Sequence, residues 1–223
     1  MEPELCRVAL ARRLRLRLTE EEAWCPMCGE IMDRFGDHAA MCSCKGDRTV
    51  RHNRVRNLVF GQSRKAGLGT EKEKVGLLPG RPREDGVKGD EARRPADIWW
   101  REGAGGNGVA WDFAVVSGMR RDRVHKGADR AGEVFQEYEQ VKEQYKDTGQ
   151  ICRAQGFEFR PLVLEAQGGG WSAAMGEVVQ LIGRRVAEWD IGVTGGMAAL
   201  QVAQRLSTTG YSAEGGGRES GGG

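Results

Sequence analysis

The chain is 223 residues long, enough for one sizeable core and a small satellite, and its 34 basic and 32 acidic side chains leave a net charge of only +2. No stretch is apolar and long enough to span a bilayer, and the first eighteen residues carry Arg7, Arg12, Arg13, Arg15 and Arg17 without an apolar run, so no secretory leader is expected. Six cysteines, four of them clustered at metal-ligand spacing, argue for a reducing, intracellular setting and against a disulfide scaffold.

Residues 3 to 15 predict a helix with Leu5, Val8, Ala9 and Leu14 turned inward. Next comes Cys25-x2-Cys28-x9-His38-x3-Cys42, two short ligand pairs separated by a loop, which is what a tetrahedral zinc ion needs from a segment with little core of its own. Gly29, Asp33 and Gly36 lie where the chain must turn back. Cys44 offers a competing fourth thiolate, but Cys42 is preferred because His-x3-Cys spans about one helical turn. Cys6 and Cys152 have no neighbour at ligand spacing and read as small hydrophobes.

From Lys45 to Lys65 the chain carries Lys45, Arg48, Arg51, Arg54, Arg56, Arg64 and Lys65 against the single acid Asp47. Such an excess is the footprint of phosphate contact, and a solvated helix face is the equal alternative. A helix is expected over about 49 to 65, with Val55, Leu58 and Val59 at core spacing, ended by Gly67 and Gly69. Residues 79 to 94 read as a mobile charged loop. Two β-like runs, 95 to 101 and 109 to 116, flank a glycine-rich link and predict a hairpin. A long helix follows, with Val124, Ala128, Ala131, Val134, Tyr138, Val141 and Tyr145 on its apolar side. His125, alone at its start, reads as a surface or core histidine. Phe157 to Glu165 is a buried strand, Ser172 caps a helix reaching Trp189, Met197 to Leu206 is a last helix, and the tail from Gly210 is disordered. The expected organisation is a helix and zinc knuckle over 1–47, a core over 48–208 and a glycine-rich tail over 209–223.

A hairpin loop centred between residues 104 and 105 sets Asp97 opposite Asp112, with Cβ atoms about 5 Å apart on one face. Two carboxylates that close repel unless a cation lies between them, and a hard divalent ion such as Mg²⁺ suits an all-oxygen site that also meets phosphate. A one-residue slip would put the acids on opposite faces, and two unrelated strand-end aspartates are the plain alternative. Lys142 and Tyr145, three apart on the long helix, are placed to lean towards the sheet, where a lysine could offset charge developing on a phosphate. Lys146 points elsewhere, and taken alone Lys142 reads as an exposed helix lysine.

The ordered set of Cys25, Cys28, His38 and Cys42, then Arg51-His52-Asn53, Arg94-Pro95-Ala96-Asp97, Trp111-Asp112-Phe113 and Lys142-x2-Tyr145 resembles the C-terminal restriction-like endonuclease of site-specific non-LTR retrotransposons, a branch of the PD-(D/E)xK superfamily. The resemblance covers roughly residues 20 to 165. It implies an α/β fold, a restriction-endonuclease-like mixed sheet flanked by helices and preceded by a CCHC zinc knuckle. It assigns catalytic Mg²⁺ or Mn²⁺ to Asp97 and Asp112, structural Zn²⁺ to Cys25, Cys28, His38 and Cys42, and catalytic support to Lys142 and Tyr145, displaced from the strand where Ala114 stands. DNA is the implied partner, with RNA in a retrotransposition complex, and the nucleus the implied location. Lys45, Arg48, Arg51, Arg54 and Arg56 are the expected nucleic-acid contacts, and His52 is read as structural. The chain departs from the pattern in reading Pro-Ala-Asp for Pro-Asp and in offering Asn57 and Gln62 where a helix glutamate is common, leaving Glu71 or Glu73 as substitutes. The alternatives are a catalytically inactive zinc-dependent nucleic-acid-binding module from a decayed mobile element, and a zinc adaptor acting through protein contacts.

Overall fold

The computed structural model describes residues 3–42, 44, 47–80, 94–103, 106–118, 132–166, 170–189, 197 and 200–204, with the side chains of Leu5, Arg13, Asp47 and Arg48 left aside. The expectations for Lys45, most of the 79–94 loop, the segment holding Val124, His125, Ala128 and Ala131, and the tail fall outside the described residues.

The N-terminal part comprises helix α1 (Pro3–Arg13), a two-stranded ribbon of β1 (Ala23–Trp24) and β2 (Ile31–Met32), and the one-turn helix α2 (Asp37–Met41). The larger part runs α3 (Asp47–Lys65), β3 (Thr70–Lys72), β4 (Ile98–Trp100), β5 (Val109–Val116), α4 (Glu133–Gln144), a 3₁₀ turn (Tyr145–Asp147), α5 (Thr148–Ala154), β6 (Glu158–Glu165) and α6 (Ala173–Trp189). Four strands form one mixed sheet in the order β3-β4-β5-β6: β3, β4 and β5 pair antiparallel, and β6 runs parallel to β5. The chain is therefore mixed α/β, with helices flanking the sheet and a small cysteine-rich region before it.

The two faces of β5 have different neighbours, which follows from the period of two along a strand. Trp111 and Phe113 join Ile98, Trp100, Leu162 and Leu164 in the main core, covered by Val55 and Val59 of α3 and by Met175, Val178, Val179 and Ile182 of α6. Ala114, Val116 and Val163 face Val134, Phe135 and Tyr138 of α4, while Trp99, Ala110 and Phe159 pack with Cys152 of α5. β5 is thus the central strand, enclosed by helices on both sides. Gly67 ends α3 at φ 69, a conformation costly for any other residue, and the Ser172 hydroxyl accepts the Met175 N–H at the start of α6. Among the described residues no helix is long and apolar enough to cross a membrane.

Three expectations need correction. Leu14 lies past the end of α1 and is 60% exposed, whereas Arg12 is buried. The chain turns there through Arg15, at φ 54, whose guanidinium holds both oxygens of Asp37 at 2.7 and 2.8 Å, so the last turn of the expected helix is exchanged for contact with the knuckle. The long helix starts only at Glu133, because Gly132 takes φ 91, and its Val141 and Tyr145 are exposed; Tyr138 and Lys142, four apart, occupy the inner side instead. The segments between the expected elements also hold β3 and α5, two elements that the hydrophobic pattern did not announce.

Candidate metal centres

The ligand atoms of Cys25, Cys28, His38 and Cys42 lie within 4.8 Å of one another, with Cys25 Sγ 3.9 Å from Cys42 Sγ and Cys28 Sγ 3.2 Å from His38 Nε2. Tetrahedral zinc with thiolate bonds of about 2.3 Å needs ligand separations of roughly 3.8 Å, so three sulfurs and one imidazole nitrogen at these distances could hold such an ion. Cys42, as expected, stands among the four in place of Cys44. Local chemistry builds the cluster. Gly29 and Gly36, each at φ 75, make the two reversals, and a Cβ on Gly36 would meet Leu18 Cδ1 at 2.9 Å. The Asp33 carboxylate accepts the backbone N–H groups of Phe35, Asp37 and His38 at 2.9, 3.2 and 2.7 Å, fixing the turn that presents His38; although burial raises the carboxyl, these donors hold it below its ordinary range. The Met27 N–H, helped by Cys28 and His38 against the effect of burial, lowers Cys25 to about 6. The Glu30 N–H draws Cys28 down, but burial and the neighbouring Cys25 and Cys42 sulfurs push it up to about 11. One ready thiolate at Cys25 beside a Cys28 thiol that resists further negative charge is the condition a bound cation relieves.

The second centre lies where β4 begins. The pairing of Ile98 with Trp111 corresponds to the loop centre expected between residues 104 and 105. Asp97, just before β4, donates its N–H to the Trp111 carbonyl at 2.9 Å. Its Oδ2 accepts the Phe113 N–H at 2.8 Å and lies 3.0 Å from His52 Nε2 on α3. Asp112, in the middle of β5, has its Oδ2 2.7 Å from Lys142 Nζ on α4. Burial is the main cause that raises the Asp112 carboxyl, with Asp97 adding to it and Lys142 opposing. Lys142 is raised despite its own burial because Asp112 favours its charged form, and His52 is raised chiefly by its hydrogen bond to Asp97. α3 thus brings His52 to Asp97, and α4 brings Lys142 to Asp112.

Tyr145 does not share that arrangement: it is 60% exposed beyond the end of α4, with Lys146 Nζ 5.2 Å above its ring. Glu71 pairs with Lys74 at 2.6 Å, and Glu73 pairs with Arg56 and, at 3.1 Å, with Arg94. Neither glutamate gathers with Asp97 and Asp112; among the described residues the knuckle ligands are the one group of three or more metal-binding side chains. Glu73 has another part, since its backbone N–H donates to the Asp97 carbonyl at 2.8 Å. Nothing in the spacing announced the His52 or Glu73 contacts, which join elements far apart in the chain.

The basic segment divides. Arg51 Nη2 reaches the Cys42 carbonyl at 3.4 Å and ties the knuckle to α3. Arg54 is half-buried, and Arg56 is buried with its guanidinium on Glu73 and Asn57. Arg56 is therefore corrected from a phosphate contact to an internal one: it is buried and its charge is already paired with Glu73. Compared with protein-family models and with curated proteins, the chain matches none.

Proposed function

We propose that the chain is a metal-dependent DNA endonuclease module, of the restriction-like kind carried by site-specific retrotransposons, working in the nucleus with zinc in the knuckle and Mg²⁺ or Mn²⁺ at the carboxylates. The observation that carries this reading is that Asp97, just before β4, bonds the backbone of Trp111 and Phe113 on either side of Asp112, while Lys142 Nζ, from a helix 30 positions further on, lies 2.7 Å from Asp112. Asp97 and Asp112 would hold the ion, and their half-buried oxygens suit a hard divalent cation. When bound, that ion supplies an activated water and neutralises charge on the scissile phosphate. Lys142, released from Asp112 as the ion takes over its charge, would face the phosphate and stabilise the negative charge that develops there. His52 and the Phe113 N–H hold Asp97 in place. DNA would approach past Arg51 and Arg54, with Lys45 and Arg48 adding to the basic segment.

A second reading, a zinc-dependent nucleic-acid-binding module without catalysis, draws on one observation: Asp97 and Asp112 already have His52 and Lys142 as side-chain partners, and no third carboxylate joins them among the described residues. Nicking of supercoiled plasmid by the zinc-loaded chain with Mg²⁺ or Mn²⁺, beside an Asp97→Ala/Asp112→Ala control, separates the two. Nicking lost in the control is the expected result. No nicking, with DNA binding that weakens steeply as salt rises, would leave the second reading.

A further inference from the structure

The outer face of the knuckle ribbon carries chemistry that neither metal centre uses. Trp24 is 73% exposed, the most exposed large apolar side chain described. It stands directly opposite Ile31, which is 52% exposed, and Met27 in the connecting turn is 37% exposed. Directly opposed residues on antiparallel strands share a face, so Trp24 and Ile31 form one continuous apolar surface with Met27 at its end. The ribbon does not need them for its own packing: the buried side chains of this region are Cys25, Ala40 and Cys42.

Charge determines what that surface suits. Residues 19 to 32 include Glu20, Glu21, Glu22 and Glu30, all exposed, and no lysine or arginine. An exposed tryptophan beside a basic groove would be a platform for a nucleobase. Here each base would bring its phosphate against a glutamate rim, which repels it. The basic side chains Arg51 and Arg54 belong instead to α3, which the Arg51–Cys42 contact places against the other end of the knuckle sequence.

We propose that this ribbon face docks a basic, apolar-bearing segment of a protein partner, with Trp24, Ile31 and Met27 taking the apolar side chains and Glu20, Glu21 and Glu22 the lysines or arginines. Three apolar side chains make a small contact, so the complex is of the weak, transient class. The knuckle then has two roles: it braces α3 through the Arg51–Cys42 contact and presents a protein-binding ribbon. This assignment is independent of whether the carboxylate site cleaves DNA.

The test uses the zinc-loaded full chain and three fluorescent probes: a peptide of about twelve residues alternating lysine and leucine, a peptide of the same charge with serine for leucine, and a single-stranded oligonucleotide. Fluorescence anisotropy is read for the unaltered chain, for Trp24→Ala and for Glu20→Gln/Glu21→Gln/Glu22→Gln, with zinc content measured on each to show that the knuckle is intact; Ile31→Ser replaces Trp24→Ala should that variant lose zinc. The expected result is that the lysine–leucine peptide binds best, that each variant weakens it about tenfold, and that oligonucleotide binding is unchanged. Equal binding of the two peptides, or of the peptide to chain and variants alike, would overturn the proposal. So would oligonucleotide binding that falls in Trp24→Ala, which would make the face a base platform, or a Trp24-dependent dimer in sedimentation, which would make the occupant a second copy.

Discussion

Glu73 holds a left-handed backbone at φ 50 while its N–H donates to the Asp97 carbonyl and its carboxylate joins Arg56 of α3 to Arg94, three residues ahead of Asp97. A non-glycine residue kept in that conformation is a local cost that the surrounding contacts must offset. If the chain nicks DNA as proposed, Glu73→Gln, which keeps the backbone N–H but loosens the side-chain ties to Arg56 and Arg94 around Asp97, is expected to raise the Mg²⁺ concentration needed for half-maximal nicking by about tenfold. It should also cost about 1–2 kcal/mol of stability, less than a fully buried pair because Glu73 is half-exposed. A magnesium titration of nicking beside a urea melt reads both. His52 gives a pH dependence. Its folded value lies above the ordinary 6.5 because Asp97 accepts its hydrogen bond, so the stability it contributes is complete below 6.5 and is lost as pH rises through the folded value. Without added divalent ion, the difference in urea midpoint between the unaltered chain and His52→Gln should narrow steadily from pH 6 to pH 9; a gap independent of pH would contradict the pairing. At this scale the sequence was uneven. Asp97 and Asp112 could be related by strand register, whereas Tyr145 was placed towards the sheet and is exposed, on the same side of α4 as the exposed Val141 four residues before it.

Short-range rules made the knuckle and hairpin legible as elements. Ligand spacing, two glycine reversals and a one-turn helix lie within about twenty residues, where local geometry decides. Asp33 is the residue on which that geometry depends: three backbone N–H groups converge on it. Asp33→Ala should destabilise the knuckle by about 2 kcal/mol and weaken zinc retention against a chelator competitor, whereas Asp33→Asn keeps part of the acceptor geometry and loses less. The hairpin was legible from its two β-like runs and glycine-rich link, its register had to be supposed from a loop centre between 104 and 105 and is the one found, and β6 and α6 followed from their apolar runs and the Ser172 cap. β3 was not legible: three residues, two of them the charged Glu71 and Lys72, have no pattern of their own and become a strand only by pairing with Trp99 and Ile98 at the sheet edge. The start of α4 at Glu133 was not legible because apolar spacing does not register a glycine whose φ of 91 breaks the helical path.

The whole molecule combines two sources of stability. The sheet and its flanking helices bury Trp111, Phe113, Ile98, Leu162, Met175 and Ile182 completely or nearly so, whereas the knuckle buries little besides Cys25, Ala40 and Cys42 and would depend on its ligands. With zinc bound, removing it forfeits on the order of 10 kcal/mol of binding free energy. A strong chelator is therefore expected to unfold the region around residues 20–44 while the β5 and β6 amides stay protected, a result that hydrogen exchange would show; collapse of both regions together would mean that the sheet leans on the knuckle. By itself the sequence pointed to the Cys25, Cys28, His38 and Cys42 cluster and to the mixed α/β class, because these rest on spacing within one element or across one turn. Only the tertiary structure decided that Lys142 meets Asp112, that His52 and Glu73 hold Asp97, that Arg56 serves the interior and that the ribbon's apolar face is left uncovered. Those contacts join segments tens of residues apart, and which of them form depends on how helices pack on both faces of β5, a choice made by the whole core at once.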